Sequence, residues 1–293
     1  VQNHIGQQGK RVFIYSAFDE DIETPLYHAE AMISAFSLRQ HSEEPIVLHS
    51  NSRVLADRLA EPSWSPFSEV IVTDVPRDHP KLQKLEAIAA SPFEKTVFLD
   101  TDTFILGDLA RVFDFGPFDI AACQPPYRQS VGSMDAAVKE EWSRRWKLNS
   151  GVVFLNGSQR DVMDSWLADY KDRLTSADHP GKVMDQPSFQ QALMKHQPDI
   201  FTLPNNYNFR LCFGGYLSGA CFVVHTRAGV SIRPVMQNLN DLEAIGALID
   251  KVASINSILV GVSFPTMADL TMAQEDLHKM QFVRNAVGKK VDG

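Results

Sequence analysis

Two aspartates, Asp100 and Asp102, stand two residues apart at the end of the apolar run Lys95-Thr96-Val97-Phe98-Leu99. Carboxylates this close repel each other, and taking both out of water is costly unless a cation neutralises them. Hard oxygen ligands favour Mg²⁺ or Mn²⁺, which typically bridge to phosphate oxygens. A plainer reading is that the pair only caps the turn that follows, since Asp-rich turns are common. The run before it favours the metal. A continuous apolar strand is one buried on both faces, and it delivers both carboxylates to the carboxyl end of a sheet, where α/β proteins bind ligands.

The preceding elements fit such a sheet. Residues 11–17 (RVFIYSA), 45–49 (PIVLH), 69–73 (EVIVT) and 95–99 (KTVFL) read as strands. Between them, residues 25–40, 51–60 and 80–91 read as helices, the last from Leu82, Leu85, Ile88 and Ala89 at helical spacing. Strand alternating with helix predicts a mostly parallel α/β sheet. The loops after Ala17 and Leu99 are therefore where chemistry is expected. Further on, a strand at 151–155, helices at 158–174 and 186–196, and a strand at 221–225 are expected. The last 55 residues read as helices. Leu239, Leu242, Ile245, Leu248, Ile249 and Val252 form one amphipathic stripe, and Leu270, Met272, Leu277, Met280 and Phe282 a looser apolar set. With no repeat and no linker, residues 1–238 are read as one domain. Residues 239–293 are read as a helical extension packed on it or on a second copy of the chain.

Composition narrows the function classes. The 293 residues carry a net charge of −8, and no basic stripe is present, so nucleic acid is not an expected partner. Cys123, Cys212 and Cys221 have neither zinc spacing nor a C-x-x-C pair, and are read as free thiols of a reducing compartment. No apolar run has the length of a membrane span, and residues 1–10 lack the apolar region of a signal peptide. A cytoplasmic location is expected.

The residues around the aspartates extend the pattern. Lys81-Leu82, followed by a helix and then Lys95 to Thr103, resembles the K-L…D-x-D block of the retaining, glycogenin-like glycosyltransferases (family 8). Leu148-Asn149-Ser150-Gly151-Val152-Val153 is similar to that family's N-S-G-h-h block. Asp185-Gln186 is similar to its D-Q pair, and Leu203-Pro204-Asn205-Asn206-Tyr207-Asn208 to its L-P-x-x-[WY]-N segment. Val223-Val224-His225 resembles the strand that ends in its metal-ligand histidine. The blocks run in the family's order over about residues 11–234.

The resemblance implies a GT-A fold and a nucleoside-diphosphate sugar donor, UDP-linked by preference. Asp100, Asp102 and His225 would hold Mn²⁺ or Mg²⁺, with Thr101 beside the bound diphosphate. Ala17 and Asp19 match the A-x-D whose residues contact base and ribose. Lys81 would face the phosphates or donor sugar, Arg233 would stand for a late basic residue at the phosphates, and Asn149, Ser150 and Gly151 would line the sugar. Asp185 would bind sugar hydroxyls with Gln186 near the anomeric carbon; Asp185 also suits the N-cap of a helix with Pro187 in its first turn. A metal so bound stabilises charge on the departing nucleoside diphosphate. The expected activity is transfer of a hexose, with retained configuration, to a hydroxyl acceptor met by loops near 125–145 and 210–219. Two other readings stand beside it: a non-catalytic nucleotide-sugar binder, and a haloacid-dehalogenase-type phosphatase, whose D-x-D-x-T Asp100 to Thr103 also matches. The phosphatase nucleophile normally follows the first strand of its sheet, however, and here three strand-helix units come first.

Overall fold

The computed structural model describes residues 11–73, 79–124, 147–157, 159–177, 183–210, 217, 219–226 and 230–260. The loops near 125–145, most of 210–219, Cys212 and the apolar set from Leu270 onward lie outside them.

Strands β1 (Arg11–Ala17), β2 (Ile46–Ser50), β3 (Glu69–Val72) and β4 (Lys95–Leu99) alternate with helices α1 (Leu26–Arg39), α2 (Arg53–Leu59) and α3 (Pro80–Ala89). Then come β5 (Thr103–Ile105), β6 (Ile120–Cys123), β7 (Val152–Asn156), α4 (Arg160–Thr175), α5 (Gln186–His196) and β8 (Ile200–Leu203). The short strands β9 (Phe209–Arg210) and β10 (Val223–His225) precede α6 (Arg233–Gln237) and α7 (Leu242–Val260).

Seven strands form the main sheet in the order β3-β2-β1-β4-β7-β6-β8. Six run the same way, and β7 opposes both of its neighbours. The chain winds outward from β1 to β3, then returns to the other side of β1 as β4. That reversal opens a crevice beyond the carboxyl ends of β1 and β4, the preferred ligand position of such sheets. Strand periodicity divides the core. Phe13, Tyr15, Val97 and Leu99 pack on the α1 side, whereas Val12, Ile14 and Phe98 pack on the side of α3, α4 and α5.

A second, three-stranded sheet has the order β5-β10-β9. The strands β5, β6, β8 and β9 were not expected from the sequence. They are two to four residues long, too short to show a period, and β6 (IAAC) contains two weak strand formers.

Helix α7 packs on the core through Ile245, Ile249 and Val252, all nearly inaccessible. Leu242, expected on that stripe, is exposed because it opens the helix just after Asp241, whose side chain caps the Ala244 N–H. Asn256 of α7 both donates to the Cys221 carbonyl and accepts the Cys221 N–H, at 2.8 Å each, tying the helix to the segment that enters β10. Cys123 and Cys221 are buried free thiols. Among the described residues, no helix is long and apolar enough to cross a membrane.

Candidate active site

Asp100 follows directly on β4, and its N–H donates to the Gly151 carbonyl at 2.7 Å. The chain then turns into β5, which pairs antiparallel with β10 so that His225 lies opposite Thr103. The Thr226 N–H donates to the Asp102 carbonyl at 2.8 Å. Strand register thus brings a histidine more than 120 residues downstream onto the aspartate pair. Single ligand atoms of Asp100, Asp102 and His225 all lie within 4.8 Å of one another. His225 Nε2 is 3.1 Å from Asp102 Oδ1 and 3.7 Å from Asp100 Oδ2. Burial acts to raise the Asp102 pKa, but the hydrogen bond and charge of His225 outweigh it and hold the carboxyl below its ordinary range.

Helix α1 props up this turn. Glu30, Ser34 and Ser37 fall one helical turn apart on one face. Thr101 Oγ1 donates to Glu30 Oε2 at 2.9 Å, Ser34 Oγ and Thr103 Oγ1 share a hydrogen bond at 2.7 Å, and the Ile105 N–H donates to Ser37 Oγ at 2.8 Å. The helical stripe 30/34/37 therefore meets the strand-spaced series 101/103/105. Thr101 is buried at 7% exposure and its hydroxyl faces α1, so its side chain supports the pair from behind.

The residues fit a divalent ion. Two carboxylates and an imidazole form an oxygen-rich set suited to Mn²⁺ or Mg²⁺. The space they face is kept free by Gly151: a Cβ there would lie 2.4 Å from His225 Cε1 and 2.6 Å from Asp100 Oδ2. Any side chain at 151 would fill the cradle.

A second cluster adjoins the first. Lys84 of α3 reaches Asp100 Oδ1 at 3.1 Å, Asp185 Oδ2 at 3.0 Å and the Ser150 carbonyl at 2.8 Å. Its ammonium also lies 4.8 Å over the Phe98 ring. Asp100 thus divides its oxygens, Oδ1 toward Lys84 and Oδ2 toward His225. Burial would lower the Lys84 pKa, but Asp100 and Asp185 more than reverse this and raise it. For Asp185 burial likewise opposes the charged form, and Lys84 and the Ser150 hydroxyl, 3.0 Å away, hold its pKa below the ordinary value. Asp185 does occupy the N-cap position of α5, yet its carboxylate makes no capping hydrogen bond. Trp166 Nε1 donates to its backbone carbonyl at 3.0 Å, which fixes the helix start beneath the cluster. Next to it, Gln186 Nε2 donates to the Leu148 carbonyl at 3.0 Å, and Gln186 Oε1 lies 3.5 Å from Asn149 Nδ2.

The carboxyl ends of β1 and β2 form the third part. Gln83 Nε2 donates to the carbonyls of Ala17 and His49, each at 2.9 Å, clamping the two strands together. The Asp19 carboxylate turns inward: it accepts the N–H groups of Tyr27 and His28 in the first turn of α1, and sits 2.7 Å from His28 Nδ1. His28 Nε2 is in turn 2.7 Å from Ser50 Oγ. The series Asp, His, Ser has the order of a hydrolytic triad. Here His28 and Ser50 have no accessible surface, so the series braces the loop after β1. The Asn51 side chain pairs with the Asp19 main chain in both directions, at 2.8 and 3.1 Å.

Of the residues expected from sequence, Asp100, Asp102, Asn149, Ser150, Gly151, Asp185, Gln186 and His225 lie in one hydrogen-bonded cluster, with Thr101 behind it on Glu30. Ala17 and Asp19 border it at the end of β1. Lys81 stands one turn away, where its Nζ donates to the Val183 carbonyl at 3.0 Å and burial lowers its pKa. Arg233 opens α6 and is exposed. The lysine at the centre is Lys84, which the sequence reading passed over. Its signal was present: Lys84-Leu85 repeats the Lys81-Leu82 pair three residues on.

No protein-family model and no curated protein sequence matches this chain. Solved structures do. The glycosyltransferase GlyE of Streptococcus pneumoniae superposes with a TM-score of 0.53 at 16% identity, over 83% of this chain and 64% of GlyE. The galactosyltransferase LgtC, solved with donor and acceptor sugar analogs, gives 0.52 at 15% over 82% of this chain and 95% of LgtC. Mouse xyloside xylosyltransferase 1 gives 0.51 at 18% over 74% and 97%. The chain has the GT-A fold. It spans just under two thirds of the length of GlyE and nearly the whole length of the other two. In a GT-A fold, the crevice beyond β1 and β4 and the cluster at its mouth occupy the switch point of the sheet.

Proposed function

We propose that this chain is a metal-dependent glycosyltransferase that moves a hexose from a UDP-linked donor to a hydroxyl acceptor, retaining the anomeric configuration. One observation carries the reading. At the switch point of a GT-A fold, a three-residue group able to hold a cation shares Asp100 with the buried Lys84–Asp185–Ser150 cluster. The similar solved proteins are named as glycosyltransferases, which agrees with sugar transfer.

Asp100, Asp102 and His225 would hold Mn²⁺ or Mg²⁺, which neutralises charge on a departing diphosphate. The remaining chemistry belongs to the protein. Asp185, oriented by Lys84 and Ser150, presents a charged acceptor to sugar hydroxyls. Gln186, tethered through its Nε2 to the Leu148 carbonyl, would lie near the anomeric carbon. Asn149 and Ser150 hold these groups in register, while Gly151 keeps the cradle open. At the other end, the base and ribose meet the loop after Ala17, where Asp19 acts by fixing the main chain and Asn51. Lys81 and Arg233 are secondary phosphate contacts in this reading. No side chain is placed as a general base; the departing phosphate takes the acceptor's proton, so that transfer proceeds on one face of the sugar.

The test is release of UDP from a panel of UDP-sugars with Mn²⁺ and with EDTA. Metal-dependent release for one donor is expected. Asp185→Asn should lower it at least ~100-fold while UDP binding stays close to wild type, the scale for losing a group positioned at the reacting centre. Absence of both release and binding across the panel would overturn the proposal.

A further inference from the structure

Behind the His225 imidazole lies a chain of amides whose orientation follows from one main-chain group. Asn149 Oδ1 accepts the Gly151 backbone N–H at 2.8 Å. A backbone N–H only donates, so the accepting atom is the oxygen of that amide. The Asn208 atom 2.8 Å from the same oxygen is therefore Nδ2. That leaves Asn208 Oδ1 facing His225 Nδ1 at 2.6 Å. An amide oxygen only accepts, so Nδ1 carries the hydrogen. Nε2 faces Asp100 and Asp102; a hydrogen there points at Asp102 Oδ1, and a cation that takes that hydrogen's place meets the lone pair of Nε2 while Nδ1 keeps its own hydrogen toward Asn208.

We infer that Asn208 is a positioning residue that holds His225 in its Nδ1–H tautomer and so presets Nε2 as a metal ligand. The inference rests on reading Asp100, Asp102 and His225 as a cation site. The neutral imidazole in water prefers the other tautomer, so the protein has to impose this one. It is equipped to do so. Asn208, Asn149 and His225 are each only 4% exposed, which keeps water from replacing the amide. Parallel pairing of β9 with β10 sets Arg210 opposite His225, and the turn over 204–208, closed by Asn208 N–H donating to the Asn205 carbonyl at 3.0 Å, fixes where Asn208 emerges. Outer-shell partners of this kind orient the ligand ring and raise its basicity, and their loss typically costs about 10–100-fold in metal affinity.

The experiment is two-bond ¹H–¹⁵N spectroscopy of ¹⁵N-histidine-labelled protein with EDTA and with saturating Mg²⁺, paired with Mn²⁺ titration followed by electron paramagnetic resonance. Wild-type His225 should carry a hydrogen on Nδ1 in both states, and Nε2 should have none once Mg²⁺ is bound. Asn208→Leu should shift it toward Nε2–H and weaken Mn²⁺ binding by about 10–100-fold. Asn208→Asp, which keeps an acceptor at Nδ1, should retain the wild-type tautomer. A wild-type His225 without the Nδ1 hydrogen would overturn the inference, as would an unchanged Nδ1 signal and affinity in a folded Asn208→Leu protein. If that variant does not fold, the wild-type spectrum decides alone. Nδ1–H in wild type without any Mn²⁺ binding would uphold the tautomer and refute the metal site.

Discussion

Removing the Lys84 charge should destabilise the metal-free protein far more than loss of a surface ion pair. Lys84→Met keeps the apolar stem beside Phe98 and deletes only the ammonium. The Lys84–Asp185 contact is 3.0 Å long, with side-chain exposures of 11% and 8%. Breaking such a buried pair from one side strands the other charge, at a cost of about 3–5 kcal/mol. The second arm, to Asp100, ends on a side chain 31% exposed, where solvent screening leaves little to lose. A deficit of about 3–4 kcal/mol at pH 7 is therefore expected, which at roughly 2–4 °C per kcal/mol is a melting shift of roughly 6–16 °C. The pH dependence carries a sign. In wild type the Asp185 pKa is held below its ordinary value, so its contribution is present above the unfolded pKa and disappears as pH falls through the folded one. Without Lys84, burial pushes the Asp185 pKa up, and protonation relieves the stranded charge as pH falls. The gap between variant and wild type should be widest near pH 7 and narrow toward pH 4. Urea unfolding with EDTA at several pH values measures it, and an Asp185→Asn background should shrink the effect. A deficit below about 1 kcal/mol at pH 7, or one that grows on acidification, would refute the reasoning.

Gly151→Ala places a methyl 2.4 Å from His225 Cε1; Mn²⁺ affinity by calorimetry should fall at least ~10-fold with the far-ultraviolet circular dichroism unchanged. His49, whose Nδ1 lies 3.0 Å from Thr73 Oγ1, has its pKa lowered to about 4 by burial. Its neutral form is the folded one, so stability should decline by about 3 kcal/mol as pH falls from 6.5 to 4, and His49→Gln should remove that slope in urea titrations. Deleting residues 239–293 uncovers the surface that buries Ile245, Ile249 and Val252; light scattering should show aggregation, and a soluble, stable truncated monomer would contradict packing of α7 as part of the core.

The Asp100–Asp102–His225 group was half legible in the sequence. Asp100 and Asp102 declare themselves by spacing and by the apolar strand before them, and β1, β4, α1 and α5 form where periodicity places them. What joined His225 to them was block order, because the antiparallel pairing of the three-residue strands β5 and β10 leaves no periodic trace. The choice between Lys81 and Lys84 turned on one helical turn: both begin a Lys-Leu pair, and only the nearer to β4 reaches Asp100 and Asp185. The A-x-D match singled out Asp19 but could not show that the unsatisfied N–H groups opening α1 claim its carboxylate. Asn208 was part of a recognised segment with no role attached. Its role depends on an amide orientation fixed by a residue 59 positions away, which only the folded chain reveals.

The most direct test of the central claim is a thermal-shift measurement with UDP in the presence of Mn²⁺ and of EDTA, on wild type and on Asp102→Asn. A ligand that binds the folded protein alone at 100 times its Kd stabilises it by about 2.7 kcal/mol. If Asp100, Asp102 and His225 hold a metal against a nucleoside diphosphate, UDP should raise the wild-type melting temperature with Mn²⁺ and hardly at all with EDTA. Asp102→Asn should fold yet lose that difference. An equal shift in both buffers, or an undiminished Mn²⁺-dependent shift in Asp102→Asn, would contradict it.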